Sequence, residues 1–117
     1  MTETKLFIGL NDSVTMKQEF ETEKYVRILR YVCEIYHIPF SFSLQEGGYI
    51  HEDGRYTHET SLVMSLIDVD PGTVQEIARD MCTFFRQESV LVTESEVKSY
   101  MIHAESLFGG TEQETAE

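Results

Sequence analysis

The chain has 117 residues, 41% of them apolar, and carries 21 acids against 9 bases for a formal net charge of −12. That is one domain's worth of chain with enough apolar side chains for a core, which excludes disorder throughout. No run of about 18 apolar residues occurs, which excludes a membrane-spanning helix, and the first dozen residues have no basic segment before an apolar one, so no signal peptide is expected.

Cys33 and Cys82 lie in apolar helical patterns far apart in sequence. They are expected as reduced thiols in a cytoplasmic protein. The last nine residues, 109–117, hold three acids and no base; without them the net charge is still −9. The expected organisation is therefore one domain over residues 1–108 and an acidic, disordered tail over 109–117. An acidic domain repels nucleic acid and membrane phosphates and favours a basic protein partner.

Residues 5–10 (KLFIGL) alternate as a short strand, with Leu6, Ile8 and Leu10 on one face. Thr15 followed by Gln18 fits a capping box, which predicts a helix from there to about His37. Tyr25, Ile28, Leu29, Val32, Ile35 and Tyr36 recur at the spacing of one buried helical face, and Pro39 ends it. Residues 40–45 alternate strictly, with Phe40, Phe42 and Leu44 inward. Residues 57–70 form a longer strand with Leu62, Met64 and Leu66 inward. Asp70–Pro71 opens a second helix, and residues 89–102 supply a last strand or pair of strand segments.

The order β-α-β-β-α-β predicts an α+β two-layer sandwich, ferredoxin-like, with two helices on one face of a sheet of order 4-1-3-2. The sheet is expected to be antiparallel apart from its first and third strands, taken as parallel neighbours across right-handed crossovers.

Asp53–Gly54 marks the turn between the second and third strands. A loop of two or four residues pairs Glu52 with Arg55, His51 with Tyr56 and Tyr49 with His58, placing Tyr49, His51, Tyr56 and His58 on one face. That register carried inward wastes half the apolar residues. One extra residue at Gly47–Gly48 repairs it, so a bulge is expected there. Glu52 and Glu59 then point away from the histidines. Two histidines fall short of a catalytic zinc set, so the cluster reads as cross-strand packing or partner contact before acid–base work. No metal and no cofactor are expected.

No phosphate-loop, zinc-protease or nucleophile-elbow pattern occurs. A dyad of Glu59 with Glu88 is set aside, because the assumed strand directions place them at opposite ends of the sheet. The other sheet face offers Phe7, Val63 and Ile67 among Ser41, Ser43, Ser61 and Ser65, a surface suited to a second copy and a homodimer.

Leu6 to Leu10, Gly48-Tyr49, Asp53-Gly54, Glu59, Ser61 and the run Gln87 to Leu91 together resemble a family of small uncharacterised bacterial proteins with a G-x-aromatic…DG…ExS hairpin and a late QESV motif. The resemblance covers roughly residues 6–95. It implies the fold and the importance of the hairpin, and no activity.

Charge, size and the lack of a catalytic motif point to a non-enzymatic acidic interaction module. It would act as a phage or mobile-element inhibitor of anti-CRISPR or antirestriction type, occluding a basic nucleic-acid-binding surface such as a nuclease's. Glu19, Glu21, Glu23, Glu76 and Asp80 on the helices would carry it with Tyr49, His51, Glu52, Asp53, Tyr56, His58 and Glu59 on the hairpin. The alternative is a ferredoxin-like homodimer, binding protein or enzyme, with a small-molecule pocket beside the Tyr/His cluster.

Overall fold

The computed structural model of the chain describes residues 1–50 and 53–105, and of Tyr49 its backbone. The elements run β1 (Thr2–Gly9), α1 (Thr22–Tyr36), β2 (Ser41–Ile50), β3 (Tyr56–Ile67), α2 (Pro71–Phe84) and β4 (Leu91–Glu96). Four strands form one sheet in the order β2-β3-β1-β4, which is the expected order 4-1-3-2 read from the other edge. The fold is the ferredoxin-like α+β sandwich.

Every neighbouring pair of strands is antiparallel, β1 with β3 included. The expectation of parallel first and third strands is thus corrected. A helix crossover returns the chain in its original direction, so β1 and β2 run the same way. The hairpin then reverses β3 into the gap between them. Gly9 pairs with Ser61 and Phe7 with Leu91. The end of β1, the start of β3 and the start of β4 therefore meet at one end of the sheet.

The core lies between sheet and helices. Leu6, Ile8 and Leu10 meet Leu62, Met64 and Leu66 from the sheet side, and Tyr25, Val26, Leu29, Val32, Cys33, Val74, Ile77, Met81 and Phe85 close it from the helices and the end of α2. Ile35, expected in the buried face of α1, is exposed; Val26 and Cys33 are inside instead. Residues 106–117, and with them the expected tail, lie outside the described residues. Among the described residues no helix is long and apolar enough to cross a membrane.

α1 begins at Thr22, seven residues after the expected cap. The Thr15–Gln18 box does not form because Asp12 takes its amides first: Asp12 Oδ1 accepts from the N–H of Val14 at 2.7 Å and of Thr15 at 3.1 Å. Met16 then adopts a left-handed φ of 62°, which turns the chain away from a helix. Gln18 instead donates to Phe20 O and Thr22 Oγ1. At the other end His37, with φ 55°, closes α1 through its N–H to Cys33 O and Glu34 O. α2 has its expected cap, the Asp70 carboxylate accepting from Thr73 N at 3.2 Å with Pro71 in the first turn.

The hairpin corrects a second expectation. β2 pairs with β3 in one unbroken register from Ser41↔Ser65 to Ile50↔Tyr56, with no bulge at Gly47–Gly48. The core register is the one the bulge was meant to restore, with Phe42 opposite Met64 and Leu44 opposite Leu62. It is reached by an odd number of residues in the turn instead. Asp53 accepts from Arg55 N at 3.0 Å, a side-chain turn, and Gly54 adopts φ 89°. Five residues, 51–55, therefore separate the last pair. Tyr49 consequently sits opposite Thr57 and not His58.

Candidate functional site

Helices cover β1 and the inner half of β3, but the outer halves of β2 and β3 extend past them. Leu44, 49% exposed, already lies outside the core although it shares the helix-side face. Where the helix layer ends, a cavity of about 440 Å³ opens. It is lined by Asn11, Gln18, Glu46, Gly47, Gly48, Tyr56, His58, Glu59 and Thr60. A second cavity of about 350 Å³ adjoins it, sharing Asn11 and Glu59 and adding Asp12, Ser13, Met16, Gln87, Glu88 and Ser89. Both volumes lie within the range of roughly 300–1,000 Å³ usual for ligand sites.

Two glycines make room for the side chains that shape this cleft. A Cβ on Gly48 would stand 2.6 Å from Tyr56 Oη, so the phenol lies directly over that backbone. A Cβ on Gly9 would stand 2.6 Å from Glu59 Cδ and nearer still to its Oε2. The Glu59 carboxylate is thus folded back over the end of β1, where its Oε2 accepts from Asn11 N at 2.9 Å. Asn11 also donates from Nδ2 to His58 O at 3.3 Å and accepts at its carbonyl from Gln87 Nε2. Tyr56 and His58 meet edge to face, ring centroids 5.2 Å apart.

The electrostatics are one-sided. Glu46, Glu59 and Glu88 line the two cavities, and none of the lining residues is a lysine or arginine. Asp12 is nearly buried and is neutralised by Arg86, whose Nε lies 2.6 Å from Asp12 Oδ2. The Val14 N–H holds the Asp12 carboxyl below its ordinary pKa, with the Thr15 N–H and the Arg86 guanidinium adding to it against the opposing effect of burial. A cleft of this kind attracts a small cation and offers an aromatic ring, amides and hydroxyls to orient it.

Of the hairpin residues singled out from sequence, Tyr56, His58 and Glu59 border this cavity; the expected opposition holds in the register, with Tyr56 and His58 on the helix-side face of β3 and Glu59 on the other, over Gly9. The Tyr49 side chain, His51 and Glu52 lie outside the described residues. Asp53 is held within the turn, its Oδ2 2.7 Å from Arg55 Nε. The helix acids are elsewhere: Glu19 bonds Thr15 Oγ1, Glu21 precedes α1, Glu23 pairs with Arg30 at 3.8 Å, Glu76 is exposed on α2, and Asp80 accepts from Tyr36 Oη at 2.8 Å.

The separation of Glu59 from Glu88 is corrected. With β3 and β4 both antiparallel to β1, both glutamates border the same cavity as Asn11. Asn11 and Glu46 are not singled out by the sequence, and Gln18 only as part of a helix cap. The signal available for Asn11 was its place, a polar side chain directly after an apolar strand. Among the described residues no group of three or more His, Cys, Asp or Glu is arranged to hold a metal ion.

The chain is similar to a phage SAM lyase in complex with S-methyl-5′-thioadenosine, at 28% identity over 81% of this chain and 80% of that one, with a TM-score of 0.65. The apo state of a phage SAM lyase matches at 27% identity over 89% and 90%, also with a TM-score of 0.65. The periplasmic divalent cation tolerance protein CutA from Archaeoglobus fulgidus shares the fold, at 12% identity over 85% and 87% and a TM-score of 0.53. No protein-family model matches the chain, and no curated protein does.

Likeness to an enzyme over most of both chains overturns the expectation of a non-enzymatic acidic inhibitor. The acids do not form the outward display that occluding a basic surface would need. Several are engaged within the chain, and three face a cleft of small-molecule size.

Proposed function

We propose that this protein is an enzyme that cleaves S-adenosylmethionine (SAM). The observation that carries the reading is the 27–28% identity to phage SAM lyase, spread over more than four-fifths of the chain. The cleft supports it. SAM carries a sulfonium and an ammonium against one carboxylate, so it is a net cation, and the cleft is acidic with no lysine or arginine in its lining.

S-methyl-5′-thioadenosine is SAM without its four-carbon amino-acid arm. A lyase can release it with no water and no second substrate. The substrate's own carboxylate attacks the carbon next to sulfur, a C–O bond forms, and the C–S bond breaks with its electron pair passing to sulfur. The products are a neutral thioether and homoserine lactone, and all atoms are accounted for. The positive charge on sulfur disappears along this path. A carboxylate held against sulfur would therefore favour the ground state over the transition state. The ammonium keeps its charge throughout. The glutamates serve best by binding it, and the lack of a lysine or arginine in the lining leaves the substrate carboxylate free to attack. Folding the arm into the attacking shape is the entropic part of the barrier.

Glu59 suits the binding role. Its Oε2 is fixed by Asn11 N, and Oε1 makes no other hydrogen bond among the described residues. Tyr56 borders the same cavity from the other face of β3, where its ring offers a polarisable surface to a ligand. The test is incubation of the purified protein with SAM and chromatographic detection of S-methyl-5′-thioadenosine. Release well above the spontaneous rate is expected, with kcat/KM lowered roughly 10- to 100-fold in Glu59→Gln through loss of a charge-assisted contact. Turnover no faster than buffer, with no SAM binding by calorimetry, overturns the reading.

A further inference from the structure

Three consecutive residues shortly after β1, Asn11 to Ser13, meet the α2–β4 connection. Asp12 Oδ2 lies 2.6 Å from Arg86 Nε, Ser13 N donates to Arg86 O at 2.9 Å, and Asn11 O accepts from Gln87 Nε2, a contact between residues 76 apart. Arg86 thus grips the loop with both its backbone and its side chain. It does so from a left-handed backbone, φ 54°, that a residue with a Cβ rarely adopts. The guanidinium is not hidden; its side chain is 65% exposed, whereas that of Asp12 is 5% exposed. Solvent alone would satisfy the arginine. The pairing serves the carboxylate and the loop it organises.

Asn11 is held from the other side by β3, through Glu59 Oε2 and His58 O. One continuous set of contacts therefore runs from Arg86 through Asp12, Ser13 and Asn11 to Glu59. It spans the two cavities, the second of which is bordered by both Glu59 and Glu88.

We propose that Asp12 and Arg86 are positioning residues, whose ion pair clamps the β1–α1 loop to the α2–β4 connection and so fixes the Glu59 carboxylate relative to Gln87 and Glu88 across the cleft. The catalytic consequence rests on the SAM-cleaving reading; the mechanical coupling does not. Neither residue is among those lining the first cavity, and their effect passes through Asn11. A binding group that shifts by a fraction of an ångström costs the chemical step more than it costs affinity.

Arg86→Gly is the informative variant. It removes the guanidinium and at the same time relieves the left-handed backbone, so the fold is retained. Arg86→Lys keeps a cation, and Asp12→Asn keeps an oxygen for the Val14 and Thr15 amides while removing the charge. Rates of S-methyl-5′-thioadenosine release, Tm and hydrogen exchange of the Asn11 amide are measured for each. Arg86→Gly is expected to keep Tm within a few degrees, to lower kcat at least tenfold with KM changed by less than threefold, and to speed exchange at Asn11. Arg86→Lys is expected between it and the parent. Unchanged kcat and KM in Arg86→Gly overturn the proposal while leaving the lyase reading intact. If the parent protein neither cleaves nor binds SAM, the lyase reading alone fails. The coupling is then decided by Asn11: faster exchange in Arg86→Gly sustains it, and equal exchange overturns it.

Discussion

At Gly9 the missing side chain is what admits the Glu59 carboxylate over the strand end. Gly9→Ala leaves β1 paired, because the conflicting atoms are the far end of a flexible glutamate, but it displaces that carboxylate from Asn11 N. The expected outcome is a Tm close to the parent's and a loss of SAM cleavage comparable to Glu59→Gln, read by thermal melts and product assay side by side. Cys33 makes a different point. Burial pushes its thiol up to about 11, so about one molecule in a thousand is a thiolate at pH 8. With Cys33 buried and Cys82 partly so, at most one fast equivalent should react with a thiol reagent in the native protein, and two after unfolding. Asp12 adds a pH signature. Its pKa is lower folded than unfolded, so it stabilises the fold fully above the unfolded value of about 3.9, and the contribution is lost as pH falls through its folded value. The urea midpoint difference between the parent and Asp12→Asn should be constant from pH 5 to 8 and shrink below pH 4.

The elements were largely legible because their apolar periods differ: 3.6 in the helices, two in the strands. What local pattern could not supply was competition and direction. Thr15 and Gln18 match a capping box, yet Asp12 reaches the Val14 and Thr15 amides first and delays α1 to Thr22. Tyr56, His58 and Glu59 were visible as a dense cluster; Glu46 joins them through the register of the same hairpin, whereas Asn11 and Glu88 reach the site only through antiparallel pairing of strands distant in sequence. The helices are tied to each other by Tyr36 Oη donating to Asp80 Oδ2 at 2.8 Å, a bond to a carboxylate that raises the phenol's pKa. Tyr36→Phe should lower Tm by a few degrees without altering SAM turnover, since this bond lies apart from the cleft. Leu29→Ala, wholly within the core, should cost about 2–5 kcal/mol in denaturant titration.

The net charge of −12 belongs to the whole molecule, and it acts on a cationic ligand before contact. A field of that sign gathers cations toward the cleft and is screened over about 10 Å at 0.1 M salt. The value of kcat/KM for SAM should therefore fall as salt rises, while kcat at saturation stays level. S-adenosylhomocysteine, which lacks the sulfonium charge, should bind more weakly and with less salt dependence; calorimetry across a salt series measures both.

The five residues between Ile50 and Tyr56 close the hairpin outside its paired register. The inner halves of β2 and β3 are pinned by Phe42, Leu62 and Met64, so neither strand can rotate to suit a new turn. Residues added to or removed from the tip, odd or even in number, are taken up by the loop, because hairpin loops of about two to five residues all close a strand pair, and Tyr56 stays over Gly48. A single residue inserted between Tyr56 and Leu62 is another matter: it would turn Tyr56 and His58 to the opposite face of the sheet and take the wall from the cleft. Length is thus free to drift at the tip and fixed in the strand behind it.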